Sequence, residues 1–229
     1  MKAPWLFLPV LLLCLAGCAA ERQPSMPALA TVQNGAEATG DDQVFPRGRW
    51  QFVHAIDFSI AGHAGAQVMG VTSLTGDEMA CALMTVEGFT LFEAVYRQGE
   101  GVVVRRAVPP FDKPAFAAGL MTDVRTIFLA PGVASRQCGR AADGTSLCRY
   151  TEADGEVTDI VLPATGECWQ IRTYGADQRL VRSVVGRSCR KMGDLLVPEY
   201  LELKGFGPAN YTLKMTLIRA ENLGRQASQ

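Results

Sequence analysis

Several signals that would identify an enzyme or a metal protein are scarce in this sequence. Histidine occurs only as His54 and His63, and no further ligand stands at a zinc-binding spacing from them. No Gly-x-Ser-x-Gly sequence surrounds Ser59 or Ser73, so a serine hydrolase has no support. The glycine-rich turn at residues 62–65 is followed by no lysine, which excludes a phosphate-binding loop. We therefore expect no catalytic residue, no metal and no cofactor.

The chain also lacks an excess of either charge. Its 229 residues carry 22 Lys and Arg against 23 Asp and Glu, a formal net charge of −1. This balance gives no reason to expect a nucleic acid as partner. A long hydrophobic run is missing too, because the apolar stretch from Trp5 to Leu15 is shorter than the roughly 20 residues of a spanning helix.

That short apolar stretch is typical of an export signal. It follows a basic start, Met1 and Lys2, and small residues stand at its exit. The sequence Leu15-Ala16-Gly17-Cys18 resembles the lipobox of bacterial lipoproteins. The resemblance implies that residues 1–17 are a signal peptide and that Cys18 carries the acyl chains. A plain secretory signal with a chance cysteine is the alternative.

The lipobox resemblance also predicts where the protein resides. Members of the lipoprotein family carry three acyl chains, and two or more chains give stable anchoring. Ala19 follows the cysteine, whereas in the enterobacterial pattern an Asp there retains a lipoprotein in the inner membrane. We expect a monomer anchored in the outer membrane and facing the periplasm, with the inner membrane as the alternative.

The remaining chain divides into a linker, a domain and a tail. Residues 18–46 hold the lipidated cysteine and a segment without hydrophobic periodicity, interrupted by Pro24, Pro27, Gly35 and Gly40, which predicts a flexible tether. Residues 47–224 are long enough for one domain with a hydrophobic core. Residues 225–229 form a short tail.

Most of the domain has the period-two pattern of β-strands. Phe52, His54, Ile56, Phe58 and Ile60 share one parity, with Gln51, Asp57 and Ser59 on the other. This strand and four more, separated by short turns, occupy residues 50–108, which is typical of an antiparallel meander. Seven more strands are predicted between residues 135 and 219. We expect a mostly β fold, a curved antiparallel sheet or incomplete barrel of about ten to twelve strands.

One helix interrupts the strands, at about residues 113–129. Asp112 can cap it, and Pro114 suits its first turn. Thr122, Asp123 and Arg125 supply its polar side. Apolar residues recur at helical spacing, which predicts that the helix covers the concave face of the sheet through Phe116, Leu120, Val124, Ile127 and Phe128.

Cysteines give a further constraint, since an exported protein folds in an oxidising compartment. Besides Cys14 and Cys18, five remain, so one is expected to be free. Cys81 lies in an apolar strand and is the free one we expect. The other four flank two predicted hairpins, one turning at Asp143-Gly144 and one near residues 176–178, which favours the pairs Cys138–Cys148 and Cys168–Cys189. Two other pairings stay open.

The order of elements resembles the LolA/LolB-like group of bacterial lipoprotein carriers and receptors. A lipobox, a linker, five meander strands, one helix and a further run of strands follow one another over residues 50–219. The segment Thr85-Val86-Glu87-Gly88-Phe89-Thr90-Leu91-Phe92-Glu93 resembles the receptor's turn between its third and fourth strands. The receptor has an exposed Leu before that glycine, and Glu87 holds the position here, before Gly88.

This resemblance implies a function. The family binds acyl chains of lipoproteins in the half-barrel under the helix, and its anchored receptor takes cargo from a soluble periplasmic carrier. We therefore expect a non-enzymatic protein that binds an acylated ligand or lipoprotein cargo and transfers it to the outer membrane. The cavity and its lid are predicted to involve Met69, Val71, Leu83, Phe116, Leu120, Val124 and Phe128.

Two other functions remain open from the sequence. The same domain with a filled interior would be an interaction module of an envelope assembly. An enzyme acting on lipid or peptidoglycan would need a nucleophile and base, or two carboxylates, brought together by the fold.

Overall fold

A computed structural model describes residues 24–31, 41–60, 63–132, 134–141, 145–163, 166–207 and 210–224. Cys18 with the signal peptide, the tail 225–229 and the turn at Asp143-Gly144 lie outside these residues. No helix within the described ranges is both long and apolar enough to cross a membrane.

The described chain folds as one sheet of thirteen antiparallel strands and one α-helix. The strands are β1 (Leu29–Thr31), β2 (Arg49–Ile60), β3 (His63–Thr75), β4 (Glu78–Met84), β5 (Thr90–Arg97), β6 (Gly101–Ala107), β7 (Ser135–Ala141), β8 (Ser146–Thr151), β9 (Val157–Leu162), β10 (Trp169–Tyr174), β11 (Leu180–Met192), β12 (Leu195–Gly205) and β13 (Tyr211–Asn222). The helix α1 spans Pro114–Phe128. The mostly β, unclosed sheet with one helix that the sequence predicts is confirmed.

The strand order is β1-β7-β8-β9-β10-β11-β12-β13-β2-β3-β4-β5-β6, so the edges are β1 and β6. Strands β2 to β6 are the predicted meander. The last strand, β13, pairs with β2 along most of its length, from Tyr211 opposite Ile60 to Asn222 opposite Trp50. This pairing joins the meander to the strands that follow α1.

The two faces of the sheet are distinguished by alternation. In β2, Trp50, Phe52, His54 and Ile56 are buried, while the residues between them are at least partly accessible. The buried set faces α1, since the rings of Phe52 and Phe128 are 5.1 Å apart. We call this the inner face and the opposite side the outer face.

The helix has the predicted extent, but two details of its prediction are wrong. Its N-cap is Lys113 without a side-chain capping bond, so Asp112 does not cap it, and Pro114 begins the first turn. Asp123 is buried rather than part of the polar side. The most buried apolar residues of α1 are Ala117, Met121, Ile127 and Phe128.

The expectation of a tether through residue 46 does not hold for the described part of that segment. The backbone oxygen of Pro24 accepts a hydrogen bond from the Leu180 amide at 3.0 Å, and β1 pairs with β7. Met26 packs beside Val157, Tyr174 and Leu180, which form a cluster separate from the main core. Residues 24–31 therefore form a strap on the sheet. Val44 and Phe45 are buried in the main core, so the domain begins before residue 47.

The disulfides follow the predicted pairing. Cys138 is bonded to Cys148 and Cys168 to Cys189. Cys81 is free and buried. The first bond joins β7 to β8, and the second joins the residue just before β10 to β11.

Candidate functional site

The space between α1 and the inner face is filled by side chains. Met79, Phe92 and Met121 are fully buried there. The cavity beside Phe52, His54 and Phe128 measures about 20 Å³, which is room for about one water molecule. A cavity of this size has no space for an acyl chain.

The residues predicted to line the ligand cavity do not all lie on the same face of the sheet. Leu83 and Phe128 are buried in the core, and Leu120 and Val124 are half-buried against it. Phe116 makes an edge contact with Phe111 at 5.3 Å between ring centroids.

Met69 and Val71 lie on the outer face, contrary to the prediction. The inner positions of β3 are Val68, Gly70, Thr72 and Leu74, which alternate with them. Met69 and Val71 therefore cannot line a cavity under α1.

A buried ion-pair cluster ties α1 to the sheet. Arg182 Nε in β11 donates to Asp123 Oδ1 at 2.6 Å, and the Tyr211 hydroxyl donates to the two Asp123 oxygens at 2.8 and 2.7 Å. Burial raises the pKa of the Asp123 carboxyl, and the Arg182 charge opposes that rise. Burial, with the neighbouring carboxylate, raises the pKa of Tyr211 to about 12. The cluster fixes how α1 sits on the sheet.

Arg125, two residues after Asp123 in α1, places its guanidinium 4.3 Å from the centroid of the Tyr96 ring. This cation–π contact joins α1 to β5 on the other half of the sheet. The helix is thus held from both sides.

His54 is the buried titratable group nearest the small cavity. It is 2% exposed, and burial lowers the pKa of its imidazole to about 4, so it is neutral at pH 7. The other residues around this cavity are all apolar: Val44, Pro46, Phe52, Ile127, Phe128, Trp169, Leu195, Leu196, Val197, Pro198 and Leu201. No hydroxyl or carboxylate of the described chain joins His54 there, so this cavity offers no nucleophile and base.

The turn between β4 and β5 exposes two large apolar side chains. Val86 is 62% and Phe89 is 72% exposed. The Thr85 amide donates to the Phe89 oxygen at 2.9 Å, and Gly88 has a positive φ of 91°, which suits glycine. A hydrogen bond from Thr85 lowers the pKa of the exposed Glu87, so a carboxylate stands between the two apolar residues.

A second, open cleft of about 590 Å³ lies at the opposite end of the sheet, beside Asp42, Arg47, Trp50 and Asp194. It has mixed polarity, and Asp42 pairs with Arg47 within it. No group of three or more His, Cys, Asp or Glu among the described residues is arranged to hold a metal ion.

Comparison with known proteins places the fold. No family model matches the chain, and no curated protein matches it by sequence. The structure is similar to that of a LolA superfamily protein from Nitrosomonas europaea, with a TM-score of 0.53 and 12% identity over 80% of this chain and 89% of that one. The fold is therefore LolA/LolB-like, as its element order predicts.

Two further solved structures are similar at lower scores. An outer membrane lipoprotein-sorting protein domain from Vibrio parahaemolyticus has a TM-score of 0.47 and 7% identity, over 79% of this chain and 88% of that one. A DUF1329 family protein from Desulfovibrio piger has a TM-score of 0.42 and 11% identity, over 81% and 90%.

Proposed function

We propose that this protein is a lipid-anchored envelope protein that binds an acyl chain of a lipid or lipoprotein between α1 and the inner face. The observation that carries the proposal is that α1 lies on the inner face as a separate cover. Side chains hold it there, whereas every strand is held by the backbone hydrogen bonds of the sheet. The fold likeness agrees with this function. Cys18 would carry the anchor.

Acyl binding requires α1 to move. Ligand sites that enclose a small molecule measure about 300–1,000 Å³, and the present cavity of about 20 Å³ is far smaller. Displacement of the helix would expose Met79 and Phe92 on the sheet and Met121 on α1. Met side chains adapt to differently shaped apolar surfaces, so this wall suits acyl chains of varied length.

The position of the strap supports an anchored protein in which one particular end of the sheet faces the membrane. Only residues 19–23 separate Cys18 from Pro24, so their reach is about 20 Å. Pro24 is bonded to Leu180, at the end of the sheet where β2 and β4 also end. Val86 and Phe89 project from that same end and would contact the lipid surface.

A disulfide between α1 and the sheet would test acyl binding. Cys81 Sγ in β4 lies 3.4 Å from Met121 Sδ in α1, so Met121→Cys brings a second thiol opposite Cys81 across the contact between helix and sheet. We expect the oxidised variant not to bind a fluorescent fatty-acyl probe and the reduced variant to bind it. Met121→Leu, which cannot form the bond, should bind the probe under both conditions, as should the unmodified chain.

The filled interior favours a second function, an interaction module that binds no lipid. Under that function the unmodified chain and reduced Met121→Cys would both take up no probe. No acylated molecule would then be detected by native mass spectrometry of the gently purified chain. That pair of results would overturn the acyl-binding proposal.

A further inference from the structure

Arg125 of α1 has a charge that no carboxylate of the described ranges pairs with. Its Nε–H is buried, and none of the described residues accepts a hydrogen bond from it. A guanidinium stays charged at any pH at which proteins are folded, so this group cannot escape the problem by losing a proton. A buried charged donor without an acceptor is unfavourable. The position of Arg125 is therefore explained best by an acceptor that comes from outside the chain.

Two contacts stabilise the Arg125 charge without satisfying this donor. The guanidinium stacks on the Tyr96 ring, and the residue stands in the last turn of α1, where the helix dipole favours a cation. Neither contact supplies an oxygen to the Nε–H. Glu156 acts only from a distance: burial raises the pKa of its carboxyl, and the charges of Arg182 and Arg125 oppose that rise.

This unpaired donor stands at one end of the wall that the proposed acyl chain would follow. Arg125 comes four residues after Met121, so the two side chains share one face of α1. Met121 contacts Cys81, which is paired with Ala94 of β5, and Tyr96 is the next inner residue of that strand. Helix and strand thus change from apolar to polar in the same direction. An acyl chain lying beside Met121 would bring its head group to Arg125.

We propose that Arg125 binds an anionic head of the acylated ligand, a carboxylate or a phosphate at the end of the acyl chain. The planar guanidinium matches the oxygens of either group. This inference rests on the proposed acyl site and names the ligand class, because a free fatty acid or a phospholipid carries such an anion. An acyl chain of a lipoprotein ends instead in a neutral ester or amide.

A fluorescent fatty acid and its methyl ester test the proposal, because the two probes differ only in the charge of the head. The full, unmodified chain should bind the acid about 10-fold more tightly than the ester, which is the gain expected from a hydrogen bond to a charged group. Fluorescence titration measures both affinities. Equal affinities would overturn the proposal, and this comparison needs no variant.

Substitution of Arg125 locates the preference. Arg125→Gln should bind the ester as the unmodified chain does and should lose the preference for the acid. Arg125→Lys keeps the charge without the planar donor set, so it should keep part of the preference. Arg106→Gln is the matched control, because Arg106 is exposed on the outer side of β6, opposite Glu93. A preference that persists in Arg125→Gln would overturn the proposal.

A second pair of ligands distinguishes the two kinds of anion. Lysophosphatidic acid and the monoacylglycerol of the same chain differ by one phosphate, and each can compete with the fluorescent fatty acid. Stronger competition by lysophosphatidic acid than by the unlabelled fatty acid identifies a phosphate head, and the reverse order identifies a carboxylate. Either order supports an anion at Arg125, provided that Arg125→Gln removes the difference from the neutral lipid.

The outcomes separate this inference from the acyl site on which it rests. Equal binding of acid and ester refutes the anionic head and leaves acyl binding intact. Binding of neither probe refutes acyl binding and the inference together. Oxidised Met121→Cys should bind neither probe although the unmodified chain binds both, since both chains must enter beneath α1.

Discussion

Asp123 of α1 and Tyr211 of β13 meet in the interior, where one phenol hydroxyl lies within 2.8 Å of both carboxylate oxygens. The pair spans 88 residues of sequence and is completed by Arg182 from β11. It ties α1 to the half of the sheet that the chain forms after the helix.

Removal of the carboxylate should destabilise the protein strongly. Asp123→Ala leaves the Arg182 guanidinium buried without its counter-charge, and breaking a buried pair in this way typically costs about 3–5 kcal/mol. Asp112→Ala, an exposed acid just before α1, should change the free energy of unfolding by less than about 0.5 kcal/mol. Urea unfolding of the two variants measures the difference, and equal effects would show that the cluster is not a stabilising contact.

Gly205 should be intolerant of any side chain. A Cβ at Gly205 would overlap the ring of Tyr211, so Gly205→Ala must displace that ring from Asp123. We expect a loss of about 1–3 kcal/mol, as for other overpacked cores. Gly119→Ala in α1 is the matched control, because a Cβ there meets nothing within 4 Å. It should stabilise the helix by roughly 0.5–1 kcal/mol. Thermal unfolding of both variants provides the readout.

Buried His54 should make the fold sensitive to acid. Its pKa is about 4 in the folded protein against 6.5 when exposed, so the unfolded chain binds the proton more readily. The His54 contribution is therefore complete above pH 6.5 and is lost as the pH falls from 6.5 to 4, by about 3 kcal/mol in all. His54→Leu should remove this part of the pH dependence. The free energy of unfolding is measured at pH 7 and pH 4.5 for the unmodified chain and for His54→Leu. An equal fall in the two proteins would contradict the prediction.

The strap should depend on Arg149. This guanidinium binds both oxygens of buried Asp159 at 2.7 Å and also reaches the Pro27 oxygen. Arg149→Lys keeps the charge but loses the two-pronged geometry, so residues 25–31 should exchange their amide hydrogens faster. Arg187→Lys, at an exposed pair with Glu167, should leave that exchange unchanged. Peptide-level hydrogen exchange gives the comparison.

Alternation of apolar and polar residues was enough to predict the twelve strands from β2 to β13 and the extent of α1, because each pattern is local. It did not predict β1, which has only three residues and exists through its pairing with β7. The alternation also gave the wrong face for two residues of β3. The outer residues Met69 and Val71 are larger than their inner neighbour Gly70, where a Cβ would collide with Ile56.

The ion-pair cluster could not be predicted for a related reason. A carboxylate on an amphipathic helix is normally expected to face water, since its burial is unfavourable without a partner. The partners of Asp123 come from β11 and β13, which are far along the chain. In the sequence, Arg182 has the same alternation as the buried Leu180 and Val184, so it lies on the inner face of β11. That pattern indicates an ion pair with Asp123 only when α1 is known to lie over β11.

The pairing of β13 with β2 has a consequence for biogenesis. Under the proposed function the chain is exported and emerges from its N-terminus, so the meander is present long before the last strand arrives. Until residue 222 has crossed the membrane, β2 and β12 both keep an unpaired edge next to apolar side chains, and such edges promote aggregation. Contacts between residues so distant in sequence also form slowly. The nascent protein should consequently need protection by periplasmic chaperones until translocation is complete, and a chain truncated before Tyr211 should be degraded rather than partly folded.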